Sequence, residues 1–228
     1  MDVAPPYRLV IFDLDGTLAD TSEDIAASMT RTLTSLGLPA PPAREIIDGV
    51  GWGAEVLSRA VLDPADLPRA GEVLAAFRAD YHDQLAVNTR LYPGIRELLV
   101  ALRGAGIAIA VATNKPGDLT REVLRQLQVF ALFDHVVGPE DVTHKKPAPD
   151  AIEELCRRCE VPASATAMVG DMETDIDAAR AAGVTAVLLT FSDFRRDAEL
   201  PARADVVLDS VEALGRLLLP AGTVPQRL

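Results

Sequence analysis

Runs of consecutive apolar residues, many of them β-branched, punctuate the chain at 8–12, 107–112, 134–137, 166–169 and 184–189. Their length and near-continuous hydrophobicity predict strands of a parallel sheet buried on both faces. After residue 90, stretches of helical period fill the intervals. Leu98, Leu99 and Leu102 share one face, as do Val123, Leu124 and Leu127, and Ile152, Leu155 and Cys159. Gly183 follows the alanine-rich run 178–182, where a C-terminal cap residue would stop a helix. Alternation of this kind predicts an α/β fold, a Rossmann-like doubly wound parallel sheet.

The pattern changes between residues 19 and 89. Ile25, Met29, Leu33 and Leu36 recur at helical spacing, as do Leu74, Phe77, Tyr81 and Leu85, and no run in this stretch reads as a strand. Thr21, with Asp24 three residues on, marks a helix start, and Pro39, Pro41 and Pro42 punctuate the next connection. The chain therefore divides into an α/β core, residues 1–18 and 90–228, and an all-helical insert, residues 19–89, placed directly after the first strand. Residues 220–228 carry no pattern and are expected to fray.

Composition narrows the partners. With 49% hydrophobic and 25% charged residues in 228, the chain reads as a soluble globular protein of one large domain with room for an insert. A formal charge of −12 argues against nucleic acid as the main partner, since phosphate neutralisation needs a basic surface. A small phosphorylated ligand needs only a few local donors or a metal, so it stays open. No apolar span is long enough for a membrane helix, and residues 1–7 lack the pattern of a secretory signal, so the expected location is cytoplasmic. The acidic surface does not decide between a monomer and a homodimer. Cys156 and Cys159 fall inside an apparent helix, 150–160, with no nearby Cys or His to complete a zinc site. They are expected to be reduced structural thiols.

Four segments carry candidate chemistry. The first strand runs straight into Asp13-Leu14-Asp15-Gly16-Thr17-Leu18, which sets two carboxylates at its carboxyl end, where open α/β sheets bind ligands. Neighbouring carboxylates repel, so they are tolerated mainly beside a cation or a shared proton. The strand at 107–112 ends in Thr113-Asn114-Lys115, whose hydroxyl and backbone N–H groups could hold phosphate oxygens. In Lys145-Lys146-Pro147-Ala148-Pro149 the prolines restrict the backbone, so a lysine before them could be held in one direction; Lys145 itself reads as part of a solvated basic turn. In Val169-Gly170-Asp171-Met172-Glu173-Thr174-Asp175, Asp171 ends a strand, and Asp175 opens a helix whose dipole an acid would also satisfy.

Taken in this order, the four segments resemble the four motifs of the haloacid dehalogenase superfamily, and the likeness covers essentially the whole chain. The insert resembles the small helical cap of one branch. Within that branch Thr113-Asn114-Lys115-Pro116, Lys145-Lys146-Pro147 and the cap run from Val50 through Gly51, Trp52 and Gly53 to Leu57 are similar to those of phosphoglycolate phosphatases. The resemblance implies a magnesium-dependent phosphatase acting on a small phosphate monoester, 2-phosphoglycolate first among them. It implies Asp13 as nucleophile and Asp15 as the acid and base. Thr113, the Asn114 backbone N–H and Lys146 would hold the phosphoryl group. Magnesium would be held by Asp13, Asp15 (through its carbonyl oxygen), Asp171 and Asp175.

In the cap, Gly51, Trp52 and Gly53 form the loop expected to face the substrate, with packing as the alternative for Trp52. Asp20 and Thr21 would form a hinge. Arg44, Arg59, Arg90 and Lys115 are candidate readers of a substrate carboxylate, and His82, His135 and His144 read as surface or turn residues. A phosphosugar mutase on the same core, a phosphatase of another sugar phosphate or of pyrophosphate, and a silent phosphate sensor are the rivals. The sensor would be expected to lack Asp13 or Asp15, and both are present. Other phosphate-loop and nucleophile-elbow signatures are absent from the sequence.

Overall fold

The computed structural model describes residues 6–220, apart from 193 and 195–197. The expectation of a frayed tail beyond Pro220 lies outside the described residues, as does most of the N-terminal stretch. In chain order, β1 (Leu9–Phe12) leads through a turn to β2 (Ala19–Asp20) and then to four helices, α1 (Ser22–Ser35), α2 (Ala43–Asp48), α3 (Ala54–Ala60) and α4 (Ala70–Asp83). The chain returns through β3 (Arg90–Leu91) to α5 (Ile95–Gly104), β4 (Ala108–Ala112), α6 (Gly117–Gln126), β5 (His135–Val137) and α7 (Asp150–Cys159). It closes with β6 (Thr166–Gly170), α8 (Glu173–Ala182), β7 (Thr185–Leu189), α9 (Leu200–Arg203), β8 (Val206–Leu208) and α10 (Val211–Leu218).

Six strands form one sheet in the order β5-β4-β1-β6-β7-β8, every pair parallel. The strands β1, β4, β6 and β7 are covered on both faces, which is why they read as continuous apolar runs. Period-2 alternation then sorts β1: Val10 and Phe12 join one apolar cluster, and Leu9 and Ile11 join the other. The second cluster contains Ile152 and Leu155 of α7 and Ile176 of α8. The first runs without a break from the sheet into the inserted helices, through Ile25, Met29, Ile46, Leu57 and Phe77. The insert is therefore packed on the sheet by the same hydrophobic burial that holds the sheet together.

Several expectations shift in detail. The insert is not free of strand: Ala19–Asp20 pairs antiparallel with Arg90–Leu91, a two-residue ribbon too short to leave an alternating signature. On α4 the buried stripe is Val73, Phe77 and Tyr81, with Leu74 only half-buried. Adjacent apolar residues differ by 100° around a helix, so spacing alone left that register ambiguous. β8 and the helices flanking it were not expected; β8 is a three-residue edge strand with an exposed Val207. Among the described residues, no helix is long and apolar enough to cross a membrane. Cys156 and Cys159 are free, half-buried thiols on α7.

Candidate active site

Parallel pairing in the order β4-β1-β6 brings three chain segments to one edge. Phe12 is in register with Val111 on one side and Val169 on the other, so Asp13, Thr113 and Asp171 emerge side by side beyond the strand ends. Asp13 N–H extends the ladder by donating to Val169 O at 3.0 Å, and Thr113 N–H does so to Val137 O at 3.2 Å. The turn after Asp13 depends on Gly16, at φ +82°, where a Cβ would overlap the Asp171 carboxylate and come within 2.6 Å of Phe194 Cδ2.

Carboxylate oxygens of Asp13, Asp171 and Asp175, all three buried, lie within 4.8 Å of one another. Lys146 reaches them from the loop before α7. Its side chain is only 2% exposed, and Nζ donates to Asp13 Oδ1 at 2.9 Å, Asp175 Oδ1 at 2.6 Å and the Ala112 carbonyl at 2.7 Å. Burial alone would lower the lysine pKa, but the Asp13 and Asp175 carboxylates offset that and hold it above the usual lysine range. One ammonium does not balance three carboxylates. Burial pushes Asp13 up to about 7, with Lys146 pulling down and Asp175 and Asp15 pushing further up. Burial and the neighbouring Asp175 likewise raise Asp171 well above the carboxylate range.

Asp171 and Asp175 have further donors. Thr17 Oγ1 donates to Asp171 Oδ1 at 3.0 Å and Ser192 Oγ to Asp171 Oδ2 at 2.6 Å. Asp175 Oδ2 accepts from the N–H groups of Asp171, at 3.2 Å, and Met172, at 3.0 Å. Asp175 thus caps α8, as its position at a helix start suggested, and also faces the cluster. A hard, oxygen-only donor set with excess negative charge fits a divalent cation such as magnesium.

Asp15 stands apart from this cluster. Its carboxylate accepts from Lys115 Nζ at 3.0 and 3.3 Å and from Thr21 Oγ1 at 2.7 Å. The side chain is therefore not among the grouped metal ligands, which leaves only the Asp15 carbonyl oxygen for that part of the expectation. Thr21 does begin α1, but its hydroxyl serves Asp15 instead of capping the helix. Lys115 is buried between the Asp15 carboxylate and the face of Tyr81, 4.5 Å from the ring centroid. It is committed to Asp15 and is not a free reader of a substrate carboxylate.

The inserted helices close over this edge. Asn114 Nδ2 donates to Gly51 O at 2.9 Å and to Lys146 O at 3.0 Å, tying the core to the loop before α3. Lys145, expected in a solvated turn, donates from Nζ to Trp52 O at 2.8 Å. It has a partner because the inserted loop folds back over a turn that is distant in sequence. Below the loop lies a small cavity of about 50 Å³, with Asp13, Asp15, Thr113 and Asn114 on its core side and Gly51, Gly53, Phe77 and Tyr81 among its lining from the insert.

Trp52 does not line this cavity. The residue is 40% exposed and borders an outer groove, so it is not fully packed. Arg44 pairs with Asp48 on the surface, Arg59 is exposed away from the cavity, and Arg90 donates to the carbonyls of Val87 and Thr89. His82 is exposed and His144 pairs with Asp150, but His135 is half-buried within β5 instead of in a turn. Thr17, Ser192 and Arg78 were not singled out. Thr17 lies within the first motif, whereas nothing near Ser192 or Arg78 in sequence marks them.

Comparison with known proteins agrees with this geometry. The family described as haloacid dehalogenase-like hydrolase matches residues 10–189. A plasmid phosphoglycolate phosphatase of Cupriavidus necator is 34% identical over 226 residues, covering 98% of each chain. A phosphoglycolate phosphatase of Pseudomonas putida is 38% identical over 216 residues, 91% of this chain and 78% of that protein. The crystal structure of a predicted phosphoglycolate phosphatase from Haemophilus somnus superposes with a TM-score of 0.84 at 29% identity, covering 92% of this chain and 97% of that one. The match extends over both the acidic sheet edge and the helices that close it, and the chain belongs to the haloacid dehalogenase-like hydrolases.

Proposed function

We propose that this protein is a magnesium-dependent phosphatase that hydrolyses a short phosphate monoester, 2-phosphoglycolate above others, through an aspartyl phosphate on Asp13. The observation that carries the reading is the buried convergence of Asp13, Asp171 and Asp175 on one lysine at the carboxyl end of the sheet. In the first step an Asp13 carboxylate oxygen attacks phosphorus, the ester P–O bond breaks, and Asp15 gives its proton to the departing alkoxide. In the second, Asp15 takes a proton from water, the resulting hydroxide attacks phosphorus, and the bond to Asp13 breaks to release phosphate. Lys115 and Thr21 orient Asp15 for both transfers.

Thr113 and the Asn114 backbone N–H are the donors assigned to phosphoryl oxygens, with Lys146 countering charge on Asp13. Asp13, Asp171, Asp175 and the carbonyl of Asp15 would hold the cation, which supplies charge neutralisation between the phosphoryl group and the carboxylates. The helices from residue 19 to 89 are read as a cap that excludes water, with 1–18 and 90–228 as the catalytic core. Cavity size supports a small ester. A water needs about 10–15 Å³ of such space, so about 50 Å³ leaves room for a substrate tail of a few atoms in this closed arrangement. Two free thiols fit a cytoplasmic setting.

The deciding experiment is phosphate release from 2-phosphoglycolate, hexose phosphates, pyrophosphate and a nucleotide, with magnesium and with EDTA, beside an Asp13→Asn control. Preference for 2-phosphoglycolate by kcat/KM, lost with EDTA and in the control, is expected. Turnover surviving in Asp13→Asn at the wild-type rate refutes the nucleophile. Preference for a hexose phosphate discards the substrate while keeping the chemistry.

A further inference from the structure

Among the described residues, the cavity beneath the cap loop has two cationic side chains in its lining, Lys115 and Arg78. Lys115 is buried and bonded to Asp15. Arg78 sits on α4 and borders both the inner cavity and the outer groove, so it stands where the two meet. Among the described residues its guanidinium has no ion pair or hydrogen bond, although Glu55, Asp118 and Glu140 line the same outer groove. Tyr81 lies three residues along α4, one turn away on the same side of the helix. Its hydroxyl is buried and, among the described residues, lacks a well-formed hydrogen bond, with the Lys115 ammonium close by over the ring.

Apolar side chains from Ile25, Val50, Leu57, Phe77 and Leu119 make up much of the remaining wall. Such a wall offers few partners for the several hydroxyls of a sugar, whose burial without hydrogen bonds would be unfavourable. It suits a short tail ending in a single strong acceptor. A planar carboxylate matches the fork of a free guanidinium, and a phenol can supply a further donor.

We propose that Arg78, assisted by the Tyr81 hydroxyl, is the specificity-determining residue that reads a carboxylate at the far end of the substrate. This inference rests on the phosphatase reading and assigns the selection of acidic esters to α4, away from Arg44, Arg59, Arg90 and Lys115. The test compares 2-phosphoglycolate with 2-hydroxyethyl phosphate, which replaces the carboxylate by a neutral CH2OH group, in the unaltered protein and in Arg78→Ala, Arg78→Lys and Tyr81→Phe.

Removing a hydrogen bond to a charged group should lower the acid-to-neutral ratio of kcat/KM by about 10- to 100-fold in Arg78→Ala. The loss should sit mainly in KM, Arg78→Lys should recover part of it, and Tyr81→Phe should show a smaller drop of the same sign. Loss of equal size on both esters, or an unchanged ratio, overturns the inference while leaving the phosphatase reading intact. So does an unaltered protein that turns over both esters equally well. Hydrolysis of neither ester by the unaltered protein refutes the phosphatase reading, and the inference with it.

Discussion

Replacing Lys146 by Met tests the electrostatic account of the site most directly. The substitution keeps an unbranched stem of similar length in a position only 2% exposed, and removes one ammonium that contacts Asp13, Asp175 and the Ala112 carbonyl. Breaking a buried ion pair from one side leaves uncompensated charge and costs about 3–5 kcal/mol. For a chain of this length each kcal/mol moves Tm by about 2–4 °C, so the metal-free variant should melt about 6–20 °C below the unaltered protein at pH 8. The gap should narrow at pH 6. Asp13 already sits near 7 with the lysine present, and without it the carboxyl protonates more readily, which removes the unpaired charge. Magnesium should narrow the gap as well, because a bound cation at free concentration L stabilises the folded state by RT ln(1 + L/Kd), and in the variant it also neutralises the carboxylates that have lost their lysine. Scanning calorimetry in EDTA and then in magnesium, at both pH values, gives all four numbers. A metal-free loss under about 2 °C at pH 8, well below the range worked from the buried pair, would show that Lys146 does not compensate these carboxylates.

Two further outcomes follow from the same cluster. A Cβ on Gly16 would collide with the Asp171 carboxylate and Phe194 at a φ that L-residues avoid, so Gly16→Ala should cost about 1–3 kcal/mol and weaken magnesium binding. Isothermal titration of magnesium into the folded variant checks this, and wild-type affinity would refute the placement of Asp171. Metal affinity should also depend on pH. Asp13 titrates at about 7 in the metal-free protein against an ordinary 3.8, so between those values the folded chain holds a proton that the unfolded chain has lost. Metal-free stability therefore falls as pH rises through that window. A cation must displace the proton, so apparent magnesium affinity should drop by up to about tenfold for each pH unit below 7. A flat affinity between pH 5.5 and 7 would contradict this.

How much of this was legible in the sequence depended on distance along the chain. Asp13, Asp15 and Asp171 stand at the ends of apolar runs and Asp175 at the helix start that follows, so these positions could be read locally and the parallel order of the sheet did the rest. Lys146 was legible as a lysine held by prolines and, through the resemblance, as a partner of the phosphoryl group; its contact with Asp13 spans 133 positions and needed the fold. Ser192 lies 21 residues after Asp171, in a loop with no pattern, and becomes a partner because β6 and β7 are neighbours. Lys145 looked solvated because its partner, the Trp52 carbonyl, is a backbone group 93 residues away that no side-chain pattern announces. Arg78 was missed for a related reason. On an amphipathic helix one arginine beside the apolar stripe is ordinary, and only the cavity shows which way that edge faces.

The helical insert is held to the core at two unequal places. Where the chain leaves and re-enters the core, Ala19–Asp20 pairs with Arg90–Leu91. Just above that ribbon, the buried Asp24 carboxylate on α1 accepts from Asn88 N–H at 2.9 and 3.0 Å, and from Thr89 N–H at 2.8 Å and Thr89 Oγ1 at 2.7 Å. Hydrogen bonds to a charged, buried acceptor are worth about 1.5–3 kcal/mol each, so the two connections behave as one unit. At the opposite side the loop is held by Asn114 to Gly51 O and Lys145 to Trp52 O, two bonds that are part-buried or exposed. If the cavity opens, the second pair is expected to break first and the ribbon to act as the hinge. Thr21 lies between the ribbon and α1 and donates to Asp15, so this end of the insert is in direct contact with the residue assigned to proton transfer. A hinge at this ribbon would therefore carry movement of the loop to Asp15 through a stretch of a few residues, with the Thr21 hydroxyl as the contact.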